Sequence, residues 1–255
     1  SSIPRILAGS QYTQPEPVFR SANKTKGTKV NLPPLVRKML AEFVGVALFL
    51  TAIISAGATF TKPETMNPFH AATLAITLGV AALLTGSVSG GHLNPAVSLY
   101  FFSRKEISAV DFIGYVAAQL AGAAAGVSLG EYLHGYTIAG FTTAASTLNA
   151  GPAFVGEVVA TAGLVLLIVT LIQNKLTHLI PFGLILWVFA AANFTATGAQ
   201  ANPAVTFGLM VDGKLPVSSG AQLILAQIVG LLVAVILSML LTSATAKKKA
   251  AAKKK

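Results

Sequence analysis

Six long apolar runs, almost free of charge, alternate with short polar segments along the chain. They extend over residues 39–58, 69–88, 110–129, 152–172, 179–196 and 221–241. Each approaches the roughly 20 residues of helix that cross a hydrocarbon core about 30 Å thick. Their length and their Ala, Leu and Gly content predict helices, because barrel strands would read as short alternating segments. The pattern predicts an all-α membrane protein with six transmembrane helices.

Two segments between the runs, residues 86–104 and 197–214, are partly apolar but too short to cross. In the first, Gly90-Gly91-His92-Leu93-Asn94-Pro95-Ala96-Val97-Ser98 is matched in the second by Gly198-Ala199-Gln200-Ala201-Asn202-Pro203-Ala204-Val205-Thr206. Gln119 and Gln227 each stand 25 residues beyond the Asn, and Gly122 and Gly230 stand three further on. Glu42 opens the first run as Glu157 opens the fourth. The chain therefore holds two repeats, about 36–135 and 150–243, each with three runs and one Asn-Pro-Ala. An odd number of crossings per repeat forces the two into opposite orientations, an inverted repeat about an axis in the membrane plane.

Asn is a favoured N-cap, and Pro at the first helical position loses no hydrogen bond. Short helices should therefore start at Asn94 and Asn202, re-entering from opposite faces and meeting by their N-termini near mid-membrane. Non-helical backbone leading to them is tolerated at that depth only where it lines a water-filled cavity.

Composition supports the membrane reading: 54% of the residues are hydrophobic and 10% charged, too few to wet a globular surface of this size. The net charge of +10 does not point to nucleic acid, because Lys and Arg lie outside the runs and fall unevenly. Arg5, Arg20, Lys24, Lys26, Lys29, Arg37 and Lys38 precede the first run, Arg104, Lys105 and Lys175 follow later ones, and six lysines close the tail. With both termini cytoplasmic, or on the stromal or matrix side of an organelle, these sixteen lie inside and only Lys62 and Lys214 outside. Residues 1–34 read as a flexible polar arm, 35–245 as the membrane domain and 246–255 as a basic tail near anionic headgroups. The acid-poor arm beginning at Ser1 fits either a cleaved targeting peptide or a removed initiator Met. Without cysteine there is neither a disulfide nor a Cys-based metal site, and no metal or cofactor is expected.

Paired Asn-Pro-Ala segments in register with the Glu, Gln and Gly landmarks make residues 39–241 resemble the aquaporin, or major intrinsic protein, family. The resemblance implies a passive channel for water or small uncharged solutes, assembled as a homotetramer with one pore per subunit. Its pore motifs would be Asn94, Pro95, Ala96, Asn202, Pro203 and Ala204, with carbonyls from Gly90, Gly91, His92, Gly198, Ala199 and Gln200 accepting hydrogen bonds. Glu42 and Glu157, the acids at the head of two runs, would hold the loop backbone in place. His92 reads either as a satisfied buried imidazole or as a pore residue through its carbonyl alone.

The chain departs from the family at the outer mouth. Most members place Arg directly after the second Asn-Pro-Ala, and here Val205 stands there. Spacing carried over from the family puts the other constriction positions at Leu74, Ala190 and Ala199, all apolar. The expected filter is wide and lacks its cationic donor, so it either admits larger solutes or slows water by dewetting. Thr206 in place of the Asp of glycerol-conducting relatives argues against a dedicated glycerol facilitator.

A second reading is a non-conducting structural or junctional membrane protein of the same fold, kept open by Val205. A secondary transporter has only Glu42 and Glu157 for ion coupling, and no constellation of catalytic side chains suggests an enzyme. The sequons at Asn23 and Asn193 fall in the cytoplasmic arm and inside a run, which makes both chance matches.

Overall fold

The structure, a computed structural model, describes residues 31–60, 68–144 and 149–252. The expectations for the arm over residues 1–30, for Lys62 and for the sequon at Asn23 lie outside the described residues. Among the described residues eight α-helices follow in chain order: α1 (Pro34–Phe60), α2 (Pro68–Ser89), α3 (Pro95–Ser103), α4 (Ala109–Leu133), α5 (Ala150–Gln173), α6 (Ile180–Phe194), α7 (Pro203–Val211) and α8 (Val217–Ala252). A 3-10 turn, Thr177–Leu179, leads into α6. Among the described residues six helical segments are long and apolar enough to cross a membrane: α1, α2, α4, α5, α8, and α6 together with the 3-10 turn before it.

The fifth span stops earlier than the apolar run suggests. The run continues to residue 196, but α6 ends at Phe194 and Thr195 is already extended, with φ −104° and ψ 146°. The Thr195 backbone N–H still donates to the Ala191 carbonyl at 3.1 Å, as in a helix, and its hydroxyl donates to the same oxygen at 2.9 Å, closing the last turn. At the other end of the chain, helix α8 continues through Ala252, into the stretch read from sequence as a basic tail.

The packing repeats between halves. Helix α1 lies along α4, and α5 lies along α8. A Cβ at Gly122 would sit 2.5 Å from the Phe43 carbonyl oxygen, and one at Gly230 would sit 2.6 Å from that of Val158. Glycine at these two equivalent positions lets the helix backbones approach to a distance no other residue permits. The short helices cross between halves: α7 packs on α4 as well as α8, and α3 packs on α8 as well as α4. Their apolar faces meet in one core containing Val46, Leu50, Leu93, Val97, Val127 and Val205. Leu83, Leu84, Ile113, Val155, Leu186 and Leu240 remain exposed on the outer helix faces, as expected where lipid is the solvent.

Candidate functional site

The site grows from the two helix starts. Asn94 and Asn202 are both extended, with φ −159° and −158°, and each side-chain oxygen accepts from the backbone N–H two residues on, Ala96 and Ala204, at 2.9 Å. Pro95 and Pro203 occupy the first helical position. The amide nitrogens then reach across: Asn94 Nδ2 donates to the Ala201 carbonyl and Asn202 Nδ2 to the Leu93 carbonyl, each at 2.8 Å. Each cap is thereby tied to the residue that precedes the other cap. The half-helices meet head to head, and their positive dipole ends converge on one region.

The backbone entering each helix is left-handed at alternate and adjacent positions. Gly90, Gly91 and Leu93 have φ of 88°, 61° and 52°, and Gly198, Ala199 and Ala201 have 71°, 55° and 47°. Such backbone cannot bond to itself as helix or sheet, so side chains must satisfy its N–H groups. Glu42 does so in the first half: Oε1 accepts from the Ser89 hydroxyl at 2.5 Å and the His92 N–H at 3.0 Å. Its Oε2 accepts from the Leu93 N–H at 2.6 Å and Gln119 Nε2 at 2.8 Å. In the second half, Glu157 Oε1 accepts from the Thr197 hydroxyl and from the Gln200 N–H at 2.9 Å. Its Oε2 accepts from the Ala201 N–H and Gln227 Nε2, both at 2.7 Å. Both glutamates are fully buried, and four donors satisfy each.

Two cavities adjoin at this centre. The first, about 460 Å³, is lined by Gly90, Gly91, His92, Asn94, Asn202 and an apolar wall that includes Leu78, Ile168 and Val188. The second, about 1130 Å³, is lined by Leu74, Gly198, Val205, Glu131, Asp212 and Lys214 among others. Phe49, Ala199 and Gln200 line both. The buried Pro203, Ala204 and Ala96 form the start of the helices behind this junction. The His92 ring is stacked on Phe101, with centroids 4.5 Å apart, and stands edge-on to Tyr115.

Of the four expected constriction positions, Leu74, Ala199 and Val205 line the second cavity. Ala190 does not. It lies on the exposed face of α6, and the buried residues of that helix that line a cavity are Leu184, Val188 and Ala192. At about 100° per residue, a position two from both Val188 and Ala192 points to the opposite side. Spacing carried along an irregular connection lost the helical phase.

The Major intrinsic protein family profile matches residues 29–179 and 173–255. A probable aquaporin TIP1-2 of Oryza sativa subsp. japonica is 32% identical over 205 residues, covering 75% of this chain and 81% of that protein. An aquaglyceroporin AqpS of Rhizobium meliloti is 33% identical over 195 residues, covering 71% of this chain and 82% of its own length. The chain belongs to the major intrinsic protein family. Like the other members, it is an integral, multi-pass membrane protein and a channel for water or small solutes, not an enzyme. The X-ray structure of the aquaglyceroporin from Plasmodium falciparum shares its fold, with a TM-score of 0.61 at 21% identity over 80% of this chain and 94% of the other.

Within this aquaporin-like frame the sequence reading missed two groups. Ser89 and Thr197 supply a hydroxyl to each glutamate, and nothing in their type marked them. Their equivalence is visible only once the repeat is aligned outward from Asn-Pro-Ala. The second group is an ionic clamp among the residues lining the second cavity, where Lys214 Nζ lies 2.5 Å from Glu131 Oε1 and 2.6 Å from Asp212 Oδ2. It ties the end of α4 to the connection between α7 and α8.

Burial pulls the Lys214 ammonium down, but its hydrogen bonds and charge interactions with Asp212 and Glu131 outweigh that, leaving it above the ordinary lysine value. A folded-state pKa raised in this way stabilises the fold below the unfolded pKa, about 10.4, and that contribution is lost as pH rises through the folded value. The wild-type protein should therefore lose thermal stability on an alkaline titration at a step that Lys214→Met lacks. Identical pH profiles for the two would show that the clamp contributes nothing.

Proposed function

We propose that residues 35–245 form a passive pore for water and small uncharged solutes, running through the two cavities past Asn94 and Asn202. The observation that supports this best is the reciprocal bonding of the two caps, because it sets two helix N-termini head to head beside cavities on either side. Each terminus is worth about half a positive charge, so hydronium and metal cations meet a barrier that neutral solutes do not. Each Asn Nδ2 has one hydrogen committed to the opposite loop and one left to donate to a passing oxygen. Carbonyls of Gly90, Gly91, His92, Gly198, Ala199 and Gln200 would accept in turn, so that the protein replaces the solute's hydration shell step by step.

Selection would fall to the apolar ring of Leu74, Ala199 and Val205. Without a cationic side chain it discriminates by width and wetting, and cation rejection rests on the half-helix ends. Glu42 and Glu157 act as structural anchors of the loops, not as solute ligands, since donors from the protein occupy all their oxygens. Assembly as a homotetramer, with both termini on the cytoplasmic side, completes the proposal.

Stopped-flow swelling of reconstituted vesicles tests it with water, glycerol, urea and peroxide. The expected result is water-driven swelling several-fold faster than in empty vesicles, with a shallow temperature dependence. Swelling no faster than in empty vesicles would favour the non-conducting structural reading.

A further inference from the structure

The two halves carry matching chains of hydrogen bonds behind the pore lining, and they end on different side chains. In the first half Gln119 Nε2 donates both to Glu42 Oε2 and to Ser98 Oγ, at 2.8 and 3.0 Å, and Ser98 Oγ lies 3.1 Å from His92 Nδ1. In the second half Gln227 Nε2 donates to Glu157 Oε2 and to Thr206 Oγ1, at 2.7 and 2.8 Å, and Thr206 Oγ1 donates to Gln200 Oε1 at 2.7 Å. The carboxylate can only accept, which fixes the amide of each inner glutamine. Both hydrogens of Gln227 Nε2 are then spent. The Thr206 hydroxyl, having accepted one of them, has a single hydrogen to give, and Gln200 Oε1 is nearer than the Asn202 carbonyl at 3.3 Å.

The consequence is an oriented carboxamide. Gln200 Oε1 is held by Thr206, and Gln200 Nε2 has no partner among the described residues. Of Phe49, Ala199 and Gln200, the three residues lining both cavities, only Gln200 has a polar side chain. Thr206 itself is fully buried, so the anchor is not exchanged for water.

We propose that the Gln200 side chain is a specificity-determining donor at the junction of the two cavities, favouring neutral solutes with a carbonyl oxygen, of which urea is the simplest. The assignment rests on conduction through the two cavities. A water in single file keeps hydrogen bonds to the waters before and behind it. A urea-sized solute fills the apolar junction, excludes those waters and depends on protein donors to replace them. Neighbouring Leu74, Val205 and Phe49 supply none. The Glu157–Gln227–Thr206 relay therefore acts as a positioning device, and Gln200 as the group that touches solute.

The experiment compares urea and water permeability of vesicles holding wild type, Gln200→Met, Thr206→Val and Thr206→Ser. Gln200→Met keeps side-chain length and removes the amide, and the urea-to-water permeability ratio should fall about fivefold to tenfold, the contribution of one hydrogen bond. Thr206→Val releases the carboxamide and should lower the ratio in the same direction by less, and Thr206→Ser should restore it. That graded rescue is not expected of a merely structural contact, and the Thr206 pair carries the test if Gln200→Met fails to insert. Rapid water swelling with an unchanged ratio in Gln200→Met, or in Thr206→Val where that pair stands in, overturns this proposal alone. Wild-type vesicles that swell like empty ones overturn the channel reading and this proposal with it.

Discussion

Glu157→Leu is expected to unfold more readily than wild type, with a loss of about 2 kcal/mol or more, because two buried donors lose their acceptor at about 1–3 kcal/mol each and two part-buried ones lose it as well. Those donors are the Thr197 hydroxyl, the Gln200 and Ala201 N–H groups and Gln227 Nε2. Two of them are backbone groups in a left-handed stretch that has no ladder or helix to fall back on. A typical domain is stable by only about 5–15 kcal/mol, so the variant should melt at much lower temperature in detergent and give little conducting protein. Glu157→Gln keeps one carbonyl oxygen as acceptor and turns the other position into a donor facing donors, and it should fall between the two. The mirrored Glu42→Leu should behave alike, since Ser89, His92, Leu93 and Gln119 lose the same kinds of bond. A melting temperature for Glu157→Leu within a few degrees of wild type would mean that the loops hold their shape without the anchor.

Val205→Arg should change which solutes pass. Val205 is 2% exposed and shares the wall of the second cavity with Leu74 and Ala199. An arginine there puts a fixed cation and a long side chain beside Leu74 and Ala199, narrowing the proposed filter and adding donors for which water competes best. Urea and glycerol fluxes are expected to fall about tenfold, equivalent to a barrier higher by about 1.4 kcal/mol, while water flux persists. The measurement is the same vesicle swelling, scored as a ranking of solutes within each protein. An unchanged ranking removes Val205 from the constriction.

The sequence reading located helices α1, α2, α4, α5, α6 and α8 because each needs a long apolar stretch in lipid, and lipid leaves little choice of conformation. It located α3 and α7 because Asn-Pro is both cap and first residue, a purely local signal. The halves could be paired because their landmarks recur at equal spacing from Asn94 and Asn202. Ala190 shows where this stops. Its assignment needed helical phase to survive from Asn202 back across a connection that leaves the helix at Thr195, and it did not. The Lys214 clamp was illegible for a different reason: Glu131 and Lys214 are 83 residues apart, and no local pattern announces that they meet.

What this chain's residues settle unaided is everything that depends on neighbours in sequence or on the solvent: six spans, two capped half-helices, and two repeats of opposite orientation. The fold alone decides which carbonyl each asparagine amide reaches, which face of α6 turns inward, and how the glutamine carboxamide at 200 is oriented. The first of those outcomes depends on groups brought within 3 Å across more than a hundred residues of chain, the Asn94 amide with the Ala201 carbonyl and the Asn202 amide with that of Leu93, and the last on contacts 6, 21 and 70 residues apart. Hydrogen-bond direction is a property of the assembled cluster, since each group's free hydrogen is determined by the partner that has already taken the other.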